Sequence, residues 1–112
     1  MVSLDYVPSR GDLVWLEFDP QMGHEQRGRR PALVISHTEY NEKVGLALCC
    51  PITSKTKGYP FEVLVSGVKI NGSVLSDQIK SLDWKARKAE FIEKMKINEF
   101  DQVIERIQLL IE

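Results

Sequence analysis

Long apolar runs are missing from this 112-residue chain. No stretch approaches the ~18 consecutive apolar residues that a membrane-crossing helix needs. The first residues, Met1-Val2-Ser3-Leu4-Asp5, have neither a basic segment nor a long apolar one, so they do not read as a secretory signal. Cysteine is scarce, and the two present, Cys49 and Cys50, are adjacent. That arrangement suits neither a disulfide framework nor a metal-ligand spacing. A reducing cytoplasm is the simplest setting for it. Neighbouring strand residues face opposite sides, so at most one of the two is expected in a core. An excess of charge is missing too. Fifteen Lys and Arg stand against sixteen Asp and Glu, for a net charge of −1, so no global attraction to nucleic acid is indicated. There are no repeats, low-complexity tracts or linkers.

What is present describes an ordinary globular chain, 43% apolar and 28% charged. Its length predicts one domain spanning residues 1–112. One stretch stands out: Gly23-His24-Glu25-Gln26-Arg27-Gly28-Arg29-Arg30-Pro31. It gathers three arginines, a carboxylate and an imidazole between apolar strand-like runs. These are the groups needed to hold a phosphate and move protons beside it, although a solvated surface loop is the commoner fate of such a stretch. From Arg27 to Lys57 the basic residues Arg27, Arg29, Arg30, Lys43, Lys55 and Lys57 face only Glu39 and Glu42. If the two basic loops meet, they form a positive patch on a near-neutral protein.

Taken in order, Arg10-Gly11-Asp12 predicts a turn and Leu13 to Phe18 a strand with Val14, Leu16 and Phe18 on one face. Asp19-Pro20 ends that strand. Pro31 closes the charged loop, and Ala32 to Ser36 reads as a short run buried on both faces. Residues 37–43 allow one helical turn. Val44 to Thr53 predicts a strand, with Pro51 marking an edge or bulge. The basic loop Ser54 to Pro60 precedes an alternating strand, Phe61 to Val65. Asn71-Gly72 is a hairpin signal. A strand with a polar middle is expected over Ser73 to Leu82, a helical turn over Asp83 to Arg87, and a short strand over Glu90 to Glu93. The end is helical. Asn98 suits the N-cap, and Ile97, Phe100, Val103, Ile104, Ile107, Leu110 and Ile111 form one apolar stripe. Strands outnumber helices, so a mainly β fold is expected, a small β-barrel with a C-terminal helix.

Gly11-Asp12-Leu13-Val14-Trp15, Asp19-Pro20, Gly23-His24-Glu25-Gln26, Arg30 to Ile35, Pro51-Ile52-Thr53-Ser54, Lys57 to Val63 and Asp77 to Ser81 make an ordered set. In it the chain resembles the MazF/PemK family of toxin endoribonucleases from type II toxin–antitoxin pairs, ChpB-like proteins included. The resemblance runs through most of residues 6 to 87; the last helix matches in type more than in letters. It implies an SH3-like barrel that forms a homodimer. It implies metal-independent cleavage of single-stranded RNA at a short sequence, with no cofactor. It also implies a cognate antitoxin whose acidic, flexible tail occupies the RNA groove.

For such cleavage the 2′-OH must lose a proton, the phosphorane must be stabilised, and the leaving 5′-oxygen must gain a proton. Arg30 matches the family's catalytic arginine before proline, and a guanidinium grips two phosphate oxygens at once. Thr53 matches the catalytic threonine. Its hydroxyl can donate to a phosphate oxygen or position the 2′-OH, with Ser54 as a supporting donor; threonine also simply favours strands. Glu25 and His24 are the proton carriers on offer. An ordinary Glu near ~4.3 is a weak base at neutral pH, whereas His near ~6.5 has the better intrinsic match. A serine is common in the family at the place of His24, so this histidine changes either the base or only the substrate contacts. Gln78 matches a position near the RNA groove and can read base edges. Asp77 and Lys80 share that surface. Arg27, Arg29, Lys55 and Lys57 would attract the phosphate backbone. Tyr59, Phe18 and Trp84 are candidate stacking platforms, although core burial is the usual fate of such aromatics.

Two other readings stay open at this point. A related barrel fold serves toxins that bind and inhibit a protein target such as DNA gyrase without catalysis, and fold alone does not decide between them. A degenerate module that only binds RNA or antitoxin is the third.

Overall fold

The computed structural model describes residues 6–18 and 28–112. His24, Glu25, Arg27 and the Asp19-Pro20 stop lie outside the described residues. Among the described residues seven strands and two helices follow one another: β1 (Asp12–Glu17), β2 (Arg29–Val34), α1 (Thr38–Val44), β3 (Ala47–Thr53), β4 (Glu62–Ser66), β5 (Asn71–Leu75), β6 (Lys80–Leu82), β7 (Glu90–Lys94) and α2 (Ile97–Ile111). The sheet is antiparallel and ordered β4-β5-β3-β2-β1-β7, with β6 paired to β3 off that path. It curls into a half-barrel with α2 on the face of β4. The expected mainly β barrel with a C-terminal helix is therefore the fold observed.

Both faces of the sheet are apolar. Leu13, Leu33, Cys50, Val63, Val65 and Val74 pack with Phe100, Val103 and Ile107 of α2. Val14, Leu16, Ala32, Val34, Cys49 and Leu82 pack with Trp84 on the other side. This double coverage corrects one expectation: Cys49 and Cys50 are both buried, one in each cluster. Burial pushes both thiols up to about 12, so both are inert at neutral pH. Trp84 is likewise core, not a stacking platform. It is buried, and its indole N–H donates to the Asn41 carbonyl at 2.9 Å.

Several boundaries differ from the sequence reading. Val44 ends α1, and Gly45 caps it in the left-handed region (φ 80°) with its N–H on the Asn41 carbonyl, so β3 begins only at Ala47. Pro51 is at neither an edge nor a bulge. It sits between the part of β3 that pairs with β6 (Ala47–Cys49) and the part that pairs with β5 (Ile52–Thr53), where its missing N–H breaks no ladder. Asn71-Gly72 is not the turn but the start of β5, paired back to Ser66 and Val65. The expected strand over Ser73 to Leu82 is two strands, because Ser76 to Ile79 turn between β5 and β6. There the Ser76 amide and hydroxyl both donate to the Phe61 carbonyl. Lys96, not Asn98, is the N-cap of α2. The apolar stripe is buried only along its middle: Ile97 and Ile111 are each 75% exposed.

The two ends of the sheet meet through a side chain. The Glu93 carboxylate on β7 accepts the amides of Val68 (3.2 Å), Lys69 (2.9 Å) and Ile70 (2.9 Å) in the β4–β5 turn. Desolvation raises the Glu93 carboxyl, but those amides and the Lys69 charge outweigh it and hold it below its ordinary value.

Candidate functional site

The second apolar face does not stay apolar along its length. Strand residues two apart share a face. Arg30 therefore continues the row of Ala32 and Val34, Thr53 that of Cys49 and Pro51, and Lys80 that of Leu82. Phe18 continues the row of Val14 and Leu16 and packs on the same cluster. Where the apolar residues end, these four line one groove of about 870 Å³, together with Ser54, Lys55, Asn71, Leu75 and Gln78.

The β2–β3 register fixes the centre of that groove. Ala32 faces Pro51, Leu33 faces Cys50 and Val34 faces Cys49. Continued by two residues, the register sets Arg30 opposite Thr53. Arg30 is exposed, and its backbone is held against Leu16 of β1. Thr53 is half-buried, and its Oγ1 accepts the Lys55 amide at 3.0 Å. That contact uses a lone pair and leaves the hydroxyl proton to donate outward.

A smaller groove of about 460 Å³ adjoins the first and shares Thr53, Lys55, Leu75 and Gln78 with it. It adds Lys57, Tyr59 and Glu62. The Tyr59 hydroxyl donates to Asp77 Oδ2 at 2.5 Å. This bond to the carboxylate, helped by desolvation, holds the phenol above its ordinary value, so Tyr59 is a neutral donor near pH 7. The residue is 46% exposed, and its ring tilts against Phe61 at 5.9 Å between centroids. Asp77 Oδ1 is buried without a hydrogen-bond partner among the described residues.

The structure thus brings Arg30, Thr53, Ser54, Lys55, Lys57, Tyr59, Gln78 and Lys80 to two joined grooves, with Asp77 behind Tyr59. It does not bring Arg29 there. Arg29 faces the opposite way from Arg30, and its guanidinium lies 2.8 Å from Glu90 and 3.8 Å from Glu17. Asn71 and Glu62 were missed by sequence reasoning. In the sequence Asn71 reads as a turn residue. Glu62 sits in an alternating strand whose pattern says nothing of what its carboxylate touches.

A family model for the PemK-like, MazF-like toxin of type II toxin–antitoxin systems matches residues 9–111. The chain is 55% identical over 84 residues to the endoribonuclease toxin MazF of Escherichia coli K12, covering 75% of this chain and 76% of that protein. It is 34% identical over 109 residues to the endoribonuclease toxin ChpB of the same strain, covering 92% and 93%. Among solved structures, MazF from Deinococcus radiodurans superposes with a TM-score of 0.84 at 48% identity, covering 95% of this chain and 97% of that one. A MazE–MazF complex from that organism matches with the same TM-score at 43% identity, covering 95% and 96%. The chain belongs to the PemK-like, MazF-like toxin family of type II toxin–antitoxin systems.

Proposed function

We infer that this chain is an endoribonuclease toxin that cuts single-stranded RNA in the groove between Arg30 and Thr53, with the whole chain acting as one toxin domain. The observation that carries the reading is the convergence of Arg30, Thr53, Lys55, Gln78 and Lys80 on one groove. The names of the relatives, endoribonucleases all, agree with it.

The chemistry follows from what these side chains can do. The substrate 2′-OH gives up its proton and attacks the adjacent phosphorus. Arg30 holds two non-bridging oxygens and stabilises the charge that grows on them. The Thr53 hydroxyl donates to one of those oxygens or orients the 2′-OH. The 5′-oxygen departs with a proton. The products are a 2′,3′-cyclic phosphate, or the 3′-phosphate from its opening, and a 5′-hydroxyl. Glu25 and His24 are the residues proposed to carry protons, with Arg30 able to assist the leaving oxygen. No step calls for a metal or a cofactor. Lys55, Lys57 and Lys80 draw in the backbone, Tyr59 and Phe18 offer faces for unstacked bases, and Gln78 offers an amide to a base edge.

The proposed partners are a second copy of the chain and a cognate antitoxin with an acidic tail; structures titled as MazE–MazF complexes of a relative support the latter. No described helix is long and apolar enough to cross a membrane, and the proposed place of action is the cytoplasm, where messenger RNA is translated. Cutting it would stop protein synthesis and growth. The test is cleavage of a long single-stranded RNA by purified protein in EDTA, with end mapping. Discrete cuts at a shared short sequence with 5′-hydroxyl ends are expected. Intact RNA from folded protein would overturn the reading in favour of a toxin that binds a protein target.

A further inference from the structure

The loop between β3 and β4, residues 54–61, carries Lys55, Lys57 and Tyr59 to the grooves. Four of its backbone amides end on two side chains instead of a ladder. Lys55 donates to Thr53 Oγ1. Three consecutive amides then converge on one carboxylate, that of Glu62 at the start of β4: Lys57 at 3.1 Å, Gly58 at 2.9 Å and Tyr59 at 3.2 Å. The Glu62 amide in turn donates to the Tyr59 carbonyl at 3.0 Å. Gly58, with φ +80°, lies inside this turn, in a region that side chains other than glycine adopt only under strain.

A carboxylate beside an RNA groove is unfavourable for a polyanion unless its charge is used. Here it is spread over three backbone donors, contacts stronger than those between neutral groups. Without them an exposed loop bearing two lysines and two glycine- or proline-adjacent hinges samples many shapes, and RNA binding would have to select one of them. With them, the wall that carries Lys57 and Tyr59 already faces Gln78 and Thr53.

We propose that Glu62 is a positioning residue: its carboxylate gathers the amides of Lys57, Gly58 and Tyr59 and so sets the second wall of the RNA groove. The proposal rests on the endoribonuclease reading given above. Glu62 acts through the loop and does not touch the reacting phosphate, so its removal affects binding and the choice of cut site more than the chemical step.

The test compares wild type with Glu62→Gln on a short RNA carrying one mapped cut site and on a long RNA for cut-site mapping. All three amides reach Oε1, and the Lys57 amide also reaches Oε2 at 3.2 Å, so glutamine leaves the three donors a neutral acceptor instead of a charged one and sets its NH₂ against the Lys57 N–H. The expected result is a KM raised about tenfold or more, kcat within about threefold, additional cut sites, and faster hydrogen exchange at the amides of residues 57–59. Gly58→Ala is the second variant. A Cβ there meets nothing within 4 Å, so the fold is kept while the left-handed backbone is strained, and the same rise in KM is expected. Unchanged KM and cut sites in both variants, with faster exchange at residues 57–59, would overturn the role of Glu62 and leave the nuclease reading standing. A fall in kcat at constant KM would also overturn it, by placing Glu62 in the chemistry. Failure of the wild type to cut RNA would remove the nuclease reading itself, and with it this one.

Discussion

Arg30 and Thr53 line one groove, each two residues beyond Ala32–Pro51, the last pair of the β2–β3 ladder. Arg30 stays paired to Leu16 of β1 and Thr53 to Ser73 of β5, so a guanidinium and a hydroxyl that line one groove are both carried on strands. Strands hold such groups more closely than loops do, and that suits a reaction in which both must meet the same phosphate.

Thr53 is expected to act through its hydroxyl. Thr53→Ser should keep most activity. Thr53→Val should lower kcat by about 10²-fold, the usual effect of removing one donor to a developing oxyanion. Single-turnover cleavage of both variants measures this. Equal activity in Thr53→Val would show that strand preference, not chemistry, explains the residue.

Gly72 controls where Thr53 sits. A Cβ at residue 72 would lie 2.3 Å from the Thr53 carbonyl oxygen, a backbone atom that cannot swing aside, and φ there is +151°. Gly72→Ala is expected to cost roughly 2 kcal/mol or more, as overpacking does, and to reduce cleavage by displacing Thr53. Thermal unfolding and kcat would be measured together. A variant as stable as wild type would contradict the close approach of β5 to β3.

The basic residues separate by position. Lys55, Lys57 and Lys80 line the grooves, whereas Arg29 is paired with Glu90 and Glu17. Replacing Lys55 by Ala should reduce the slope of log K against log salt by about 0.7, the share of one phosphate contact on a single strand. Arg29→Ala should leave the slope unchanged. A smaller slope in Arg29→Ala would show that its pairing opens when RNA binds.

Glu93 links stability to acid. Its carboxyl in the folded protein lies below the ordinary 4.5, so the unfolded chain takes up this proton first as pH falls. The stabilisation is present above that ordinary value and is lost as pH drops through the lower folded one. Glu93→Gln should lower Tm near neutral pH, and the gap to wild type should narrow as pH falls below the ordinary carboxyl value. A constant gap across that range would mean that the carboxylate's charge is not what holds the β4–β5 turn.

Much of this architecture was legible because alternation and helical spacing are local. The faces of β1 and β4 and the buried middle of α2 follow from residue order alone. So does the basic character of the loop after Thr53. What was not legible depends on neighbours. Cys49 and Cys50 are both buried because Trp84 and α2 cover opposite sides of one sheet. Pro51 is tolerated in an interior strand because the N–H it lacks would fall between the stretches of β3 that pair with β6 and with β5. Asn71-Gly72 looks like a hairpin turn, but Gly72 is required by its approach to Thr53 instead. Arg29 and Arg30 are adjacent and equally basic, and only the pleat sends one to Glu90 and the other to the groove. Glu62 could not be assigned any role from its strand, since its partners are amides.

In the proposed reaction Arg30 stabilises the phosphate being cut. The most direct measurement is single-turnover cleavage by Arg30→Ala at saturating RNA, with thermal unfolding as the control. Arg30 is exposed, so Tm should be nearly unchanged, within about 0.5 kcal/mol of stability. Cleavage should fall by about 10³-fold or more. A folded Arg30→Ala protein that cuts at the wild-type rate would remove Arg30 from the chemistry.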